Sequence, residues 1–325
     1  MATYIYKLKF KGPLQVFSDA LSMGKPDVVV HSDTLFSAIV NSIVAIFGKI
    51  PEDLFSSPRF FNSSAFPYSV NQLFFPRPRV FIPGSDQSLS KKIKKTGFVS
   101  EEIFESLLRG ETINISEDNF HTGGFLSFGK LQNEVFTIQE IPRCRIKRTS
   151  GETEIFYSQR VRFAEDAGLF FLVRFPNPDF KSTVFDPALN YLSDTGIGGD
   201  RSVGNGQFEF SCEEFDLQEI DENAKYFTNL SLYCPTKDEI GKGILNNAKY
   251  SMIKRQNWIY SEGPQPIRSK SVRMFIEGSV FGSVPEVRGK IVETTPQIAG
   301  EYIDHSVYRS GLLFGVPVSE NQMEA

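Results

Sequence analysis

Apolar and polar residues alternate with two different periods in the first fifty residues. In residues 3–10 the apolar side chains of Tyr4, Tyr6 and Leu8 fall at every second position, which is typical of a half-buried β-strand. In residues 35–47 apolar side chains recur every three to four positions, and Gly48 follows, which predicts a helix that begins near His31. Ser32 or Asp33 is expected to cap that helix.

Further elements follow a long segment of weak periodicity. Residues 51–140 are predicted to be irregular apart from a short helix at 101–108, because prolines interrupt their aromatic fragments. A short helix is predicted at 187–192, and strands are predicted at 155–163, 169–175, 208–215, 226–234 and 272–281. We therefore predict an α+β fold of two units, residues 1–150 and 151–325, each a small antiparallel sheet backed by helices.

The distribution of charge along the chain is more informative than its sum. The net charge of −4 argues at first against a nucleic-acid-binding protein. Residues 211–222, however, contain six acidic residues and no lysine or arginine, whereas residues 143–162 contain six cations and two glutamates. We expect the two segments to lie on different surfaces, one facing RNA and the other facing protein partners.

Several classes of protein and site are not expected. No apolar run precedes a cleavage site at the N-terminus, so no signal peptide is predicted, and residues 35–47 are too short to span a membrane. Cys144, Cys212 and Cys234 have no CxxC spacing, which indicates reduced thiols in the cytoplasm. The three histidines lack metal-ligand spacing, so neither a metal nor another cofactor is predicted.

The densest motif is a glycine-rich loop at residues 196–206, with five glycines in eleven residues. Glycine lets the backbone approach another group closely, and consecutive N–H groups can form an anion-binding nest. The alternative is a hairpin whose glycines serve geometry alone. The candidate RNA-binding residues here are Gly198, Gly199, Arg201, Ser202, Gly204 and Gly206.

Cationic segments supply the other RNA-binding candidates. In an extended strand Arg143, Arg145 and Lys147 would share one face at a spacing that suits successive phosphates, although a solvated edge strand has the same pattern. Basic and aromatic side chains together are typical of single-stranded RNA recognition, whereas a lysine cluster alone is usually a solvated loop. The remaining candidates are Arg148, Arg77, Arg79, Lys91, Lys92, Lys94, Lys95, Lys254 and Arg255.

His31 and Ser32 lie where the first helix is predicted to begin. The free N–H groups of a helix N-terminus can bind a phosphate, and His31 could donate to it as well. His31 could instead act as a general acid or base in RNA cleavage, or simply neighbour the helix cap.

Six segments of the chain together resemble one family. They are His31–Ala38, Phe75–Pro78, Ile141–Arg145, Gly196–Gly206, Val272–Phe281 and His305–Arg309. The chain resembles the RAMP superfamily of CRISPR systems, and more narrowly the subunits that cap the crRNA 5′ handle in type III-A (Csm) effector complexes. Cys144 stands where that family leads us to expect a polar asparagine.

The resemblance implies an architecture and a set of partners. It implies two ferredoxin-like (RRM-like) domains, with an insertion at about 76–130 in the first that forms a thumb-like hairpin and wedges into the guide–target duplex. It also implies contacts with the crRNA 5′ handle, with target RNA near the 5′ end of the guide, with the large polymerase-like subunit and with a backbone RAMP subunit.

Three hypotheses about function remain at this point. The first is a non-catalytic RNA-binding assembly subunit, since the basic segments accompany no plausible catalytic constellation. The second is a metal-independent endoribonuclease that processes repeat RNA, with His31 aided by Tyr4, Tyr6 or Arg201. The third is a small-molecule enzyme of unrelated fold, which co-purification with RNA and larger subunits would exclude.

Overall fold

The computed structural model is a mixed α+β structure built on one large sheet and several small ones. It describes residues 1–17, 26–51, 53–82, 87–131, 133–147, 151–217, 223–259, 267–284, 286–297, 303 and 305–320. The α+β class predicted from the sequence is therefore confirmed. None of the helices in the described part of the chain has the length and apolar character needed to cross a membrane.

The large sheet contains strands from both halves of the chain. Its strands are β1 (Thr3–Phe10), β2 (Phe61–Asn62), β3 (Phe66–Ser69), β4 (Gln72–Pro76), β5 (Phe98–Ser100), β6 (Phe120–His121) and β7 (Phe125–Leu126), then, after a separate hairpin of β8 (Phe136–Ile146) and β9 (Thr153–Phe163), β10 (Ala167–Arg174) and β11 (Phe208–Glu214). The order is β11-β1-β10-β3-β4-β5-β7-β6, with β2 also paired to β10. Neighbouring strands are antiparallel except β5 and β7.

The helices connect these strands in a regular order. They are α1 (Ser32–Phe47), α2 (Ser90–Lys95), α3 (Glu101–Arg109), the one-turn α4 (Pro178–Phe180), which continues through a π-helical turn (Lys181–Phe185) into α5 (Asp186–Thr195), and α6 (Lys237–Gly241). Since α1 lies between β1 and β3 in sequence and α5 lies between β10 and β11, these four strands, which are neighbours at one end of the sheet, follow a β-α-β-β-α-β order.

Strand β10 is buried on both faces of the large sheet, which explains its unbroken apolar sequence. Leu169 and Phe171 point towards α1 and α5, in a core that also contains Tyr6. Phe170 and Leu172 point to the other side, where α3 and the C-terminal strands pack. The glycine at the centre of this crowding, Gly168, has no room for a Cβ because the Leu8 carbonyl lies directly against it.

The C-terminal third forms three small sheets, one of which packs on the second face while another packs against α1. Their strands are β12 (Tyr226–Asn229), β13 (Met252–Arg255), β14 (Val272–Phe275), β15 (Val280–Gly282), β16 (Gly289–Glu293), β17 (Tyr308–Leu312) and β18 (Gly315–Val318). The strand predicted at 272–281 is wrong in one respect. A turn at Glu277–Gly278, with Gly278 at φ +78°, divides it into β14 and β15.

Residues 76–130 are not the extended hairpin that the resemblance implied, nor are residues 51–140 irregular. Residues 51–140 supply strands β2 to β7 and helices α2 and α3. Phe75 and Phe104 stack at 4.5 Å between ring centroids, and both are buried. Aromatic side chains from the fragments that the prolines separate form part of the core of this segment. The long hairpin of the molecule lies instead at β8–β9, residues 136–163.

The boundary predicted at residue 150 falls inside that hairpin. Strands β8 and β9 are each eleven residues long and pair in register on either side of it. Beyond the hairpin, β10 pairs with both β1 and β3, so a division at residue 150 cuts across one sheet. Residues 148–150, including the RNA-binding candidate Arg148, lie outside the described part of the chain.

Helix α1 begins where the sequence predicted, but its cap is different. His31 is the N-cap residue, and its side chain makes no capping hydrogen bond. Ser32 and Asp33 lie inside the helix and are buried. The Ser32 side chain binds a partner elsewhere in the fold, as described below, so the cap predicted for Ser32 is wrong. Asp33 Oδ1 accepts the backbone N–H of Thr34 at 2.7 Å from within the first turn, and the same carboxylate also binds arginines distant in sequence.

Candidate nucleic-acid interface

The β8–β9 hairpin presents two faces of opposite chemistry. Side chains directly opposite one another in an antiparallel pair lie on the same face. Arg143 lies opposite Phe156, and Arg145 lies opposite Glu154. The guanidinium of the exposed Arg145 lies 5.7 Å from the centre of the Phe156 ring, which places a cation and an aromatic surface side by side. The predicted sharing of one face by Arg143 and Arg145 therefore fits the observed strand.

The opposite face of the hairpin is apolar and unusually open. Ile146, Ile155 and Tyr157 are 65%, 64% and 65% exposed, and Cys144 is exposed beside Ile155. At the tip, Lys147 is paired with Glu152 at 3.0 Å between Nζ and Oε2, so much of its charge is balanced within the chain. The cationic character of the hairpin thus rests mainly on the arginines of its other face.

The glycine-rich loop packs against residues 13–16 at the base of the hairpin. The N–H of Gly199 donates to the Gln15 carbonyl at 2.8 Å, and that of Gly206 donates to the Pro13 carbonyl at 2.9 Å. The N–H of Gly204 donates to the Arg201 carbonyl at 3.0 Å. These three glycines are therefore not free donors of an anion nest, and the nest prediction is wrong for them. Their N–H groups hold the loop in place.

Space around the loop explains why glycine is required at some positions. Gly198 has φ +94°, and a Cβ there would lie 2.5 Å from the Gln15 carbonyl oxygen. Gly206 has φ +72°, and its Cβ position meets the Ile197 carbonyl directly. At the tip of the loop, Ser202 and Val203 are exposed and Arg201 is half-buried. The donors that this loop offers to a ligand are thus the side chains near its tip.

Asp200 joins the loop to the hairpin. Arg143 of β8 donates to both carboxylate oxygens, at 2.5 and 3.3 Å, and Arg160 of β9 donates to Oδ2 at 2.9 Å. Arg160 also reaches Asn205 Oδ1 at 3.3 Å. Residues separated by 57 positions in sequence are in this way brought to one surface, with Arg143 and Asp200 about a third and a quarter exposed (32% and 26%).

A second basic cluster lies where β4 ends. Arg77 Nε donates to the Thr96 carbonyl at 3.2 Å, which places Arg77 at the end of α2. Burial lowers the pKa of Arg77, and the neighbouring Arg79 lowers it further. No ion pair with a carboxylate is found for either arginine in the described part of the chain. Two half-buried cations without a counter-charge favour an anion from outside the chain.

The lysines of α2 lie beside this cluster. Lys91, Lys94 and Lys95 are exposed, and their spacing places them on one side of the helix. Lys92 is paired with Glu117 at 2.9 Å between Nζ and Oε1, so it contributes less free charge. The lysine cluster lies in a short helix, whereas a lysine cluster of this kind is usually a solvated loop.

Three predicted site residues are buried in the interior instead. Arg255 donates to Asp33 through Nε at 3.0 Å, and Arg309 also donates to Asp33. His31 Nδ1 lies 2.8 Å from Glu277 Oε1. Ser32 Oγ accepts the backbone N–H of Leu232 at 2.9 Å. Ser32 is 2% exposed and Arg255 is 1% exposed, so the RNA-binding roles predicted for His31, Ser32 and Arg255 are wrong in this structure.

These buried groups connect the first helix to the C-terminal sheets. Asp33 lies on α1, Arg255 on β13, Arg309 on β17 and Glu277 in the turn before β15. Burial alone raises the pKa of Asp33, but Arg255 and Arg309 outweigh it and hold that pKa below its usual range. Their role is structural. Lys254, by contrast, is exposed next to Arg255 and stays available for an RNA contact.

The sequence prediction missed residues that depend on pairing across the chain. Phe156, Asp200 and Asn205 were not singled out as site residues, and Arg160 was noted only as a nearby cation. A symmetric hairpin about residues 149–150 would have placed Phe156 opposite Arg143, and the alternating arginines were the signal for it. Nothing in the local sequence pairs Asp200 with Arg143, because 57 residues separate them.

Comparison with known proteins shows consistent similarity. Residues 222–318 match the family described as the CRISPR Csm4 C-terminal domain. The "CRISPR system Cms protein Csm4" of Thermococcus onnurineus (strain NA1) is 26% identical over 307 residues, which cover 89% of this chain and 92% of that protein. The protein of the same name from Methanocaldococcus jannaschii is 25% identical over 327 residues, which cover 85% of this chain and 84% of that protein.

Solved structures share the fold over nearly the whole chain. A Csm1–Csm4 cassette in complex with cA4 matches with a TM-score of 0.63 at 23% identity, covering 98% of both chains. A Csm3–Csm4 subcomplex of the type III-A CRISPR-Cas interference complex matches with a TM-score of 0.64 at 19% identity, covering 98% of this chain and all of the other.

Proposed function

We propose that this chain, a Csm4-family RAMP subunit of a type III-A CRISPR (Csm) effector complex, binds the 5′ handle of the crRNA and bridges two protein subunits. The subunit acts by binding and positioning RNA, and no step of RNA cleavage is assigned to it. The RNA surface runs from the tip of the glycine-rich loop along the arginine face of the β8–β9 hairpin.

One observation carries this proposal. Arg143, Arg145 and Phe156 on the hairpin lie on the face that meets the glycine-rich loop, through the contact of Arg143 with Asp200. A surface that combines guanidinium groups with an open aromatic ring suits a flexible single strand, whose phosphates bind the cations and whose bases stack. The sheet aromatics, such as Phe170 and Phe171, are buried and are not available for stacking.

The proposed protein partners are those of the related Csm4 chains. A Csm4 chain was solved with Csm1, and another was solved with Csm3. We propose that this chain likewise contacts a large polymerase-like subunit and a backbone RAMP subunit. We propose that the Arg77–Arg79 cluster and the lysines of α2 bind a further stretch of the RNA.

The hairpin is also the candidate thumb that contacts target RNA. Its open apolar face, with Ile155 and Tyr157, can pack between the bases of the guide–target duplex near the 5′ end of the guide. This role was expected for residues 76–130, and we assign it to residues 136–163 because only that segment forms an extended hairpin in the described structure.

We also propose that the chain contains two ferredoxin-like domains with a boundary later than residue 150. The β-α-β-β-α-β order of the first is completed only by β11, which ends at Glu214. The second would then correspond to residues 222–318, where the C-terminal domain family matches.

The test is a purification from cells. The tagged chain is expressed with its large and backbone subunits and a CRISPR array, and the RNA that elutes with it is sequenced. We expect both proteins and RNAs that share one 5′ sequence, which is the handle. RNAs with unrelated 5′ ends, or no RNA, would contradict the proposal.

A matched pair of variants tests the surface. R143Q/R145Q removes two cations from the hairpin, and K237Q/K242Q removes two exposed cations from the region of α6. We expect the first pair to lower RNA recovery while the protein subunits still elute together. The second pair should leave recovery unchanged.

A further inference from the structure

Asp200 lies where the arginines of the RNA surface would hold a phosphate. Its carboxylate is bound by Arg143 through both oxygens, at 2.5 and 3.3 Å, and by Arg160 through Oδ2 at 2.9 Å. Two guanidinium groups converging on one small anion is also how proteins bind a phosphodiester, because the planar fork of arginine fits two oxygens at once.

The arrangement is unfavourable for a surface whose task is to attract RNA. Asp200 cancels part of the charge of Arg143 and Arg160, the two cations that the hairpin places against the glycine-rich loop. No such carboxylate neutralises the Arg77–Arg79 pair in the described structure. An acid at this position therefore needs a reason that the RNA surface alone does not supply.

Some hydrogen-bond donors beside Asp200 also lack an acceptor. Arg160 is 6% exposed and Asn205 is 3% exposed, and in the described structure Arg160 Nε and Asn205 Nδ2 have no acceptor. Buried donors without an acceptor are rare in folded proteins. Their position behind Asp200 indicates that one carboxylate does not supply all the acceptors that this site can use.

Asp200 is placed so that its side chain can leave. It is 26% exposed and has φ +58°, a conformation that L-residues seldom adopt. Its carboxylate makes hydrogen bonds to the two arginines alone among the contacts described. Rotation about its side-chain bonds would carry the carboxylate into solvent without disturbing the backbone contacts of the loop.

We propose that Arg143 and Arg160 form a seat for one phosphate of the RNA backbone, and that Asp200 occupies this seat until RNA displaces it. The proposal rests on the proposed function, since it assumes that RNA binds along this face. It makes Asp200 a built-in competitor. An RNA held by further contacts displaces it, whereas an isolated anion gains little by doing so.

The test is the affinity of the full-length chain for a fluorescein-labelled oligouridylate, measured by anisotropy at fixed salt. D200N removes the charge and keeps the side-chain shape, and asparagine tolerates positive φ well. We expect D200N to bind about three- to tenfold more tightly, the gain from removing a competing carboxylate that is 26% exposed. D200G, which removes the side chain and suits the same φ, should give a gain in the same direction.

Two controls separate the seat from general electrostatics. D238N makes the same change in net charge on α6 and should leave the affinity unchanged. In the R143Q background D200N should give no comparable gain, because the seat has already lost one of its two guanidinium groups.

The outcomes are distinct. Weaker or equal binding by both D200N and D200G, with unchanged thermal unfolding, would overturn the proposal and identify Asp200 as a residue that positions the arginines. An equal gain in D238N would also overturn it. If the wild-type chain binds no RNA, the proposed function itself fails, which is a different result.

Discussion

Two aspartates in this chain each lie between two arginines, Asp33 in the interior and Asp200 at the surface. Asp33 is fully buried between Arg255 and Arg309. Asp200 lies between Arg143 and Arg160 at the proposed RNA-binding face. The same grouping serves different ends, because water can replace a lost partner at the surface but not in the interior.

Removing the charge of Asp33 should weaken the whole fold. In D33N two arginines lose their carboxylate in a buried site, and we expect a loss of about 3–5 kcal/mol in the free energy of unfolding. Urea unfolding followed by circular dichroism measures it. D53N, which removes the exposed partner of Arg59, is the matched control and should leave the midpoint unchanged. A D33N chain as stable as the wild type would show that the arginines find other partners.

Two buried carboxylates, those of Asp33 and Glu277, predict how the stability of the fold depends on pH. Burial raises the pKa of Glu277, but His31 and Ser64 reverse this and the net pKa is lowered, as it also is for Asp33. A carboxyl group with a lowered pKa in the folded state stabilises the protein fully above its unfolded pKa, near 4, and this stabilisation is lost as the pH falls further.

Urea midpoints measured between pH 7 and pH 3 test this sign. We expect the wild type to lose stability below about pH 4, and D33N, which lacks one of the two titrating groups, to show a shallower decline. A wild-type midpoint that is constant down to pH 3 would be inconsistent with the buried network.

At the scale of elements, the periodicity of the sequence predicted those strands and helices that form from contacts close in sequence. Strand β1, helix α1 and the apolar strand β10 are found close to their predicted positions. Each has one dominant period or a continuous apolar run, and nothing distant is needed to form it. The hairpin is different: its strands were divided between two predicted domains, because a glycine after residue 150 suits either a turn or a linker.

The candidate site was only partly predictable for the same reason. Alternating arginines on β8 and the glycine-rich loop are visible in sequence, and both lie in the site. His31 and Arg255 have the right chemistry for RNA, yet partners 246 and 222 residues away bury them. Only the tertiary fold separates a cation that binds RNA from one that stabilises a core.

The glycine-rich loop should tolerate no side chain at Gly206. In G206A the methyl group would meet the Ile197 carbonyl, and the residue has positive φ, so the loop must rearrange. We expect a loss of about 1–3 kcal/mol in stability together with weaker RNA binding. G129A, where nothing lies within 4 Å of the added Cβ, is the control and should behave like the wild type. Normal RNA affinity in G206A would exclude the loop from the site.

Arg145 offers the cleanest single test of the hairpin, because it is exposed and its contact with Phe156 lies within the hairpin. R145Q should bind RNA more weakly for every sequence, and its salt dependence should be shallower by about 0.7 in log–log slope, the share of one phosphate on a single strand. Its unfolding midpoint should not change. K237Q, an exposed cation on α6, should bind as the wild type does, and equal losses in the two variants would contradict a local site.

At the scale of the whole molecule, the net charge of −4 conceals a division of surfaces. The hairpin and the end of β4 carry arginines, whereas β11 carries Glu213 and Glu214 near the N-terminal end of β1. Lys7 pairs with Glu213 at 3.2 Å, so part of the acidic segment is balanced within the sheet. The total charge therefore describes solubility, and the position of each group describes its partner.

Binding of single-stranded RNA through phosphate contacts along the hairpin and the glycine-rich loop, as we propose, must depend strongly on salt. The most direct measurement is the affinity of the full-length chain for a single-stranded handle RNA at several salt concentrations. If about six phosphates are neutralised, the logarithm of the association constant should fall with the logarithm of salt with a slope of roughly −4. A slope near zero would contradict RNA binding through phosphate contacts.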